Sequence, residues 1–324
     1  MLSFFKSQQP ATILAFILFF IIIKIPVFFI GNTLAIHPIQ NLWFSIGMIA
    51  GGNYLINFLI AQVFLFLQAI WFNYLFHKAD YNENSTMIPA LYFSLITSLI
   101  PQFNQFNIYF IISFILFATF HTLLTITTKD DAKLDSFNLG ILGGILVLLN
   151  THFLFFLPFL FLMLYAVKPF RINEYLMLFF GILFPFYFAI SISYLLDIEI
   201  NVSRFFIYNL KLFRFNKDIP NIISFIITAC YLLMAFVSLR GIMYSTGFKR
   251  RKNVNMLVFF FLALVLTILF SGDLDEAVFS LLFIPISVFL ALFMLRIRKK
   301  RLSEILNVIF VLVTFITNVV RIFK

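Results

Sequence analysis

Long apolar runs alternate with short polar stretches along the whole chain. About 20 residues of α-helix cross a hydrocarbon core of roughly 30 Å, so the longer runs predict membrane-spanning helices. They fall at Ala11–Ile30, Asn53–Phe76, Ile108–Thr127, Tyr175–Leu196, Ile222–Leu239, Val254–Phe270 and Ala277–Leu295, with a shortish one at Ile88–Ile100. The last run, Leu302–Lys324, admits two readings. Ser303, Glu304, Asn307, Thr314, Thr317, Asn318, Arg321 and Lys324 share one face at 100° per residue, so it is either an eleventh span packed through a polar seam or a surface helix.

Between the fourth run and Tyr175 the pattern changes, and the rest of the chain is organised around this stretch. Asn138–Asn150 holds Gly140, Gly143 and Gly144, a second run follows Thr151-His152, and Pro158 interrupts it before Tyr165. Each piece is short for a bilayer, which predicts a pair of half-length helices meeting inside the membrane. Interrupted backbone at that depth must be covered by protein or line a water-filled cavity, so Asn150 and His152 are candidate cavity-lining residues. The three glycines read as close helix packing through small residues.

Composition fixes the class. With 63% hydrophobic and 11% charged residues and a mean hydropathy of +1.06, this is an all-α, polytopic integral membrane protein of about 10 to 11 transmembrane helices. Most of its 50 phenylalanines are interhelical and lipid-facing filling. The net charge of +10 does not point to nucleic acid, because the basic residues cluster in the short loops where topology signals lie. An N-inside topology leaves only Lys24, Arg204, Lys211, Arg214, Lys217, Arg321 and Lys324 outside the inner loops. That bias predicts a membrane protein with a cytoplasmic N-terminus. It also requires the interrupted pair to go in and out as one unit. The first run lacks a small-residue cleavage pattern and reads as a helix, not a cleaved signal. Cys230, the single cysteine, reads as a packing residue.

Candidate chemistry is sparse. Lys24 is an ionisable group inside a span and so a functional candidate. The preferred reading is that it snorkels its ammonium to the outer headgroups. His121 and His152 have no acid or histidine at helical spacing and read as interhelical hydrogen-bond donors. His37 and His77 fall on opposite sides, so the four histidines cannot converge on a metal, and no metal or other cofactor is expected. Asp130-Asp131 reads as a solvated turn compensated by Lys129 and Lys133. Asp273, Asp275 and Glu276 could hold a divalent cation but also make an ordinary hairpin turn. No phosphate-binding loop, nucleophile elbow or metalloprotease motif occurs.

Two further segments complete the layout. Asn32–Gly52, with His37-Pro38 and Trp43, reads as an outer loop plus an interface-lying stretch. Residues 201–220 carry Arg204, Lys211 and Arg214 among aromatics and read as a periplasmic interfacial segment able to hold a lipid phosphate. A first helix, a long outer loop, paired helices, short helices around Gly140–Pro158 and a long helix to an outer segment together resemble the integral-membrane GT-C glycosyltransferases, which use polyprenyl-phosphate sugars. The resemblance implies a GT-C-like membrane module over 1–200, followed by the segment 201–220 and C-terminal transmembrane helices over 221–324. In that class an acid in the first outer loop does the catalytic work, and Asn32–Gly52 contains no Asp or Glu. The series Ile88-Pro-Ala-Leu-Tyr, Asn138-Leu-Gly-Ile-Leu-Gly-Gly-Ile, Val167-Lys-Pro-Phe-Arg-Ile-Asn-Glu-Tyr and Gly181-Ile-Leu-Phe-Pro-Phe is similar to an uncharacterised bacterial family of inner-membrane proteins.

The function expected is therefore a non-catalytic subunit or accessory factor of a cell-envelope complex, its partners membrane lipids and other proteins of that complex. The alternative is a GT-C-type transferase or flippase acting on polyprenyl-phosphate-linked sugars, with Arg204, Lys211 and Arg214 on the phosphate and Lys24, His37, Asn150 and His152 lining its cavity. A third reading, a secondary transporter with broken helices, lacks a buried acid for ion coupling and any inverted repeat.

Overall fold

A computed structural model describes residues 4–7, 9–30, 54–82, 85–104, 108–197, 219–245, 247–270, 276–297 and 299–322. His37, Trp43, Arg204, Lys211 and Arg214 lie outside the described residues. Among those described the fold is all helical, without a strand. The α-helices are α1 (Pro10–Ile30), α2 (Tyr54–Lys78), α3 (Ile88–Leu99), α4 (Ile108–Ile126), α5 (Lys133–Leu149), α6 (Leu157–Val167), α7 (Ile172–Leu195), α8 (Ile219–Ser245), α9 (Phe248–Leu269), α10 (Phe283–Arg296) and α11 (Lys300–Ile322). Short 3₁₀ turns precede α6 (Thr151–Phe156) and α10 (Glu276–Leu282). Seven segments, from α1, α2, α4, α7, α9, α10 and α11, are long and apolar enough to cross a membrane, which makes this a multi-pass membrane protein.

Contacts between loops show that successive helices run in alternate directions between two faces. On the first face the Met87 N–H donates to Phe5 O (2.9 Å), Lys78 Nζ meets His121 Nε2 (2.7 Å) and the Tyr81 hydroxyl donates to Asn253 O (3.0 Å). Lys168 Nζ donates to Asp130 O (2.9 Å), so the start of α5 and the end of α6 share that face. On the second face the Tyr54 hydroxyl reaches Phe28 O (2.9 Å) and Arg321 reaches Leu99 O (2.8 Å). α11 packs along α3, Asn307 against Tyr92 and Asn318 against Ser98, and is long and apolar enough to cross a membrane, which agrees with the packed reading of its polar face.

At the centre lies α3. Its 12 residues are about 18 Å long, and every one of them is buried among α1, α2, α10 and α11. A polar-bearing helix this short is tolerable only because protein surrounds it. Ser94, Thr97 and Ser98 donate their hydroxyls back to carbonyls three or four residues earlier, so none needs a partner from outside. Phe72 of α2, Phe93 of α3 and Phe117 of α4 pack ring on ring at 5.4 to 6.1 Å between centroids, which is where part of the phenylalanine content goes.

The interrupted pair forms a hairpin, deeper than expected. α5 begins at Lys133, five residues before Asn138, and its 17 residues span about 25 Å. The return leg combines a 6-residue 3₁₀ turn with the 11 residues of α6, about 28 Å in all. The polar residues before Asn138 join the helix, with Asp135 in its first turn paired to Lys129 (2.7 Å). Pro158 sits in the first turn of α6, where its missing N–H costs nothing, so it sets the boundary between turn and helix.

α7 packs along α5 with backbones in contact. A Cβ on Gly140 would overlap Leu178 O and lie 2.8 Å from Gly181 Cα, one on Gly144 would lie 2.5 Å from Ile182 O, and one on Gly181 would overlap Phe137 O. Gly140 and Gly144 are one turn apart, so their bare face admits α7 closely, as small residues do in membranes. The opposite side of α7 stays exposed: Leu176, Phe179, Phe180 and Leu183 present apolar surface suited to lipid.

Candidate functional site

Polar side chains converge at two places, one on each face. The first is the C-terminal end of α3, on the second face. A helix leaves its last four carbonyls without intrahelical partners, and at membrane depth each must find one. Asn104 Nδ2, in the turn after α3, donates to Thr97 O (2.9 Å) and Ile100 O (3.1 Å). From α11, Asn318 Nδ2 donates to Ser98 O (2.9 Å) and Arg321 to Leu99 O (2.8 Å). The whole last turn is capped by side chains. Lys24 completes the node, donating to Asn104 Oδ1 (2.6 Å) and Thr97 Oγ1 (3.1 Å) with the Phe20 ring 5.6 Å from its ammonium.

Lys24 therefore does not snorkel. It is 3% exposed and turns inward. The physical reason is that the end of α3 offers two oxygen acceptors and the negative pole of a helix dipole, which compensate a cation better than a path past Phe29 to the headgroups. Further along the polar seam of α11, Asn307 Oδ1 accepts from the Tyr92 hydroxyl (2.8 Å), while Thr314 and Thr317 donate to carbonyls of α11 itself. Beside the node an apolar cavity of about 150 Å³ opens between α3, α8, α10 and α11, lined by Ile96, Leu99, Thr228, Phe283 and Arg321 among others.

The second place is the base of the hairpin, on the first face. Lys168-Pro-Phe-Arg171 closes α6 onto α7, and Lys168 Nζ bonds both Asp130 O and Glu174 Oε1 (3.1 Å). The side chains of Lys168 and Glu174 are 9% and 1% exposed. Glu174 Oε1 also accepts from the Ala132 N–H (3.2 Å), the residue that caps α5, so one carboxylate ties the start of α5 to the start of α7. A buried acid was not expected in this chain. Its signal was available: Glu174 is the acid in the first turn of a span, six residues after Lys168. Asp131 and Lys133 pair at 3.2 Å alongside, and the hydrogen bond from the Lys133 side chain holds the Asp131 carboxyl below its ordinary value. Of the compensated turn read from the sequence the Asp131–Lys133 pair is present, while Lys129 pairs instead with Asp135 and the Asp130 carbonyl takes Lys168 and Arg171.

Asn150 is spent on the hairpin tip. Its side chain accepts from the His152 N–H (3.0 Å), capping the 3₁₀ turn, and both residues are half-buried. His121 does bond between helices, across α2 and α4, but opposite the Lys78 ammonium its Nε2 accepts (2.7 Å) instead of donating as expected, because an ammonium offers only donors. Among the described residues, no three His, Cys, Asp or Glu side chains gather as a metal site. Glu276 opens the turn before α10, while Asp273 and Asp275 lie outside the described residues.

No curated protein and no solved structure matches the chain. Residues 13–323 match a family of unknown function, DUF6427.

Proposed function

The chain belongs to this family, which brings no assigned activity, and from its own geometry we propose that it is a non-catalytic subunit or accessory factor of a bacterial cell-envelope complex. The observation that carries the reading is how its interior polar groups are used. Asn104, Asn318 and Arg321 cap one helix end with Lys24 bracing Asn104, Tyr92 and Asn307 join two helices, and Gln68 donates to Ser113 across α2 and α4 (2.7 Å). Such bonds fix helices against one another. Gentle affinity purification of the natively expressed protein, followed by mass spectrometry, tests this: stoichiometric protein partners are expected. A detergent-solubilised monomer without crosslinked partners in cells overturns it.

We place the protein in the inner membrane with its N-terminus cytoplasmic. Support comes from the first face, which gathers Lys78, Lys129, Lys133, Lys168, Arg171, Lys249 and Arg250, as the positive-inside rule asks.

A second reading, handling of a polyprenyl-phosphate-linked sugar on a GT-C-like scaffold, is favoured by the apolar cavity reaching Arg321. A dry slot of that size takes about one isoprene unit of such a chain, and a guanidinium suits phosphate. Replacing Arg204, Lys211 and Arg214 together by Gln should abolish binding of a polyprenyl phosphate. Unchanged binding and an unchanged cellular phenotype remove this reading.

A further inference from the structure

A pocket of about 370 Å³, within the range of small-molecule sites, opens where α7 begins. Asp131, Lys133, Arg171, Ile172, Asn173 and Glu174 line it, so charges of both signs face one space. Glu174 is the informative residue. Its Oε1 takes the Ala132 N–H and the Lys168 ammonium, while its Oε2, equally buried, has no hydrogen-bond partner among the described residues. A buried carboxylate oxygen calls for a donor, and the strongest is a charged N–H. Also lining the pocket, the Arg171 side chain, one of whose N–H groups donates to Asp130 O, and the start of α7 at Ile172 and Asn173 offer the opposite chemistry: a guanidinium and the positive pole of a 24-residue helix, both suited to phosphate.

We propose that this pocket binds the headgroup of a phosphoethanolamine lipid, its ammonium on Glu174 Oε2 and its phosphate between Arg171 and the N-terminus of α7. The surroundings suit a lipid rather than a free metabolite. Phe170 and Ile172 are exposed at the rim, and the exposed stripe Leu176, Phe179, Phe180 and Leu183 continues along α7 from the pocket as a track for acyl chains. Selectivity follows from the donors. Ethanolamine carries N–H groups for Glu174, choline has the same charge without them, and a glycerol headgroup has neither.

The test uses the full chain, delipidated in detergent and titrated with dioleoyl phosphatidylethanolamine, its N-methyl and N,N-dimethyl forms, phosphatidylcholine and phosphatidylglycerol, with bound lipid read by native mass spectrometry. Binding should fall from ethanolamine to choline by about tenfold overall, as expected for a lost charge-assisted hydrogen bond. Glu174→Gln should erase the preference for ethanolamine over choline and raise phosphatidylglycerol binding, a switch that loosened packing would not produce. Arg171→Gln, which leaves Glu174 in place, should weaken all of these phospholipids alike. Equal binding of ethanolamine and choline lipids by the native protein overturns the proposal, as does a Glu174→Gln variant that keeps the preference.

Discussion

Replacing Gly144 by Ala pits two effects of known sign against each other. In a helix interior Ala is favoured over Gly by about 1 kcal/mol, so propensity alone predicts a more stable protein. Packing opposes it: the new Cβ would lie 2.5 Å from Ile182 O and 3.0 Å from Pro185 Cγ, where ordinary contact begins at 3.4 Å. The atom that must give way is backbone, so α5 and α7 must separate by about 0.9 Å, the difference between 3.4 and 2.5 Å. Overpacking of this kind costs about 1 to 3 kcal/mol, and packing should win. Gly247→Ala is the steric comparison, because nothing lies within 4 Å of its added Cβ; Gly247 is the N-cap of α9, where Ala is less favourable than Gly by several tenths of a kcal/mol. Unfolding in mild detergent, followed by intrinsic fluorescence against temperature or added SDS, should show Gly144→Ala destabilised and Gly247→Ala lowered only by that small capping loss. The separation that relieves Gly144→Ala also relieves Gly140→Ala, so the double variant should lose less than the sum of the singles. If Gly144→Ala is as stable as Gly247→Ala, the helices are not held backbone to backbone.

The other predictions concern polar nodes and orientation. Lys168→Met strands the 1%-exposed Glu174 and should cost about 3 to 5 kcal/mol, most of it regained in Lys168→Met with Glu174→Met, measured by the same unfolding assay. Asn104→Ala frees two carbonyls and an ammonium contact and should destabilise by more than Lys24→Met, which costs about 1 to 3 kcal/mol. Because the Asp131 carboxyl is held below its ordinary 3.8, its pairing with Lys133 persists above that value and is lost as pH falls through the lower folded one. Lys133→Gln should move the Asp131 titration, followed by carboxyl-carbon NMR, upward. With Cys230 replaced by Ser, a membrane-impermeant maleimide on spheroplasts should label Leu196→Cys but not Asp80→Cys or Asp131→Cys, and the reverse pattern would invert the proposed orientation.

Helices were legible because period and length carry them: each expected run corresponds to a described helix, and the glycine triplet announced close helix packing, though not that Gly140 and Gly144 face α7 while Gly143 faces α6. Boundaries failed where a polar residue is buried by tertiary packing. Lys133 to Ser136 looks like loop, yet α5 includes it because Glu174 caps Ala132 from 42 positions away. Lys24 was misjudged for the same reason, since the acceptors that hold it come from Thr97 and Asn104, and no local pattern links them to α1. The polar seam of α11 was visible as a face, but its purpose becomes clear only once α3 is found too short to end in lipid.

The completion of α3 also sets a schedule for biogenesis. Ser98 and Leu99 emerge from the ribosome 220 and 222 residues ahead of the Asn318 and Arg321 side chains that cap their carbonyls. At about 5 to 20 residues per second that interval is roughly 11 to 44 seconds. Throughout it the innermost helix waits with bare carbonyls in or beside the bilayer, so an insertase or a water-filled vestibule has to shelter it, and slowing translation between α3 and α11 should raise its loss to membrane proteases.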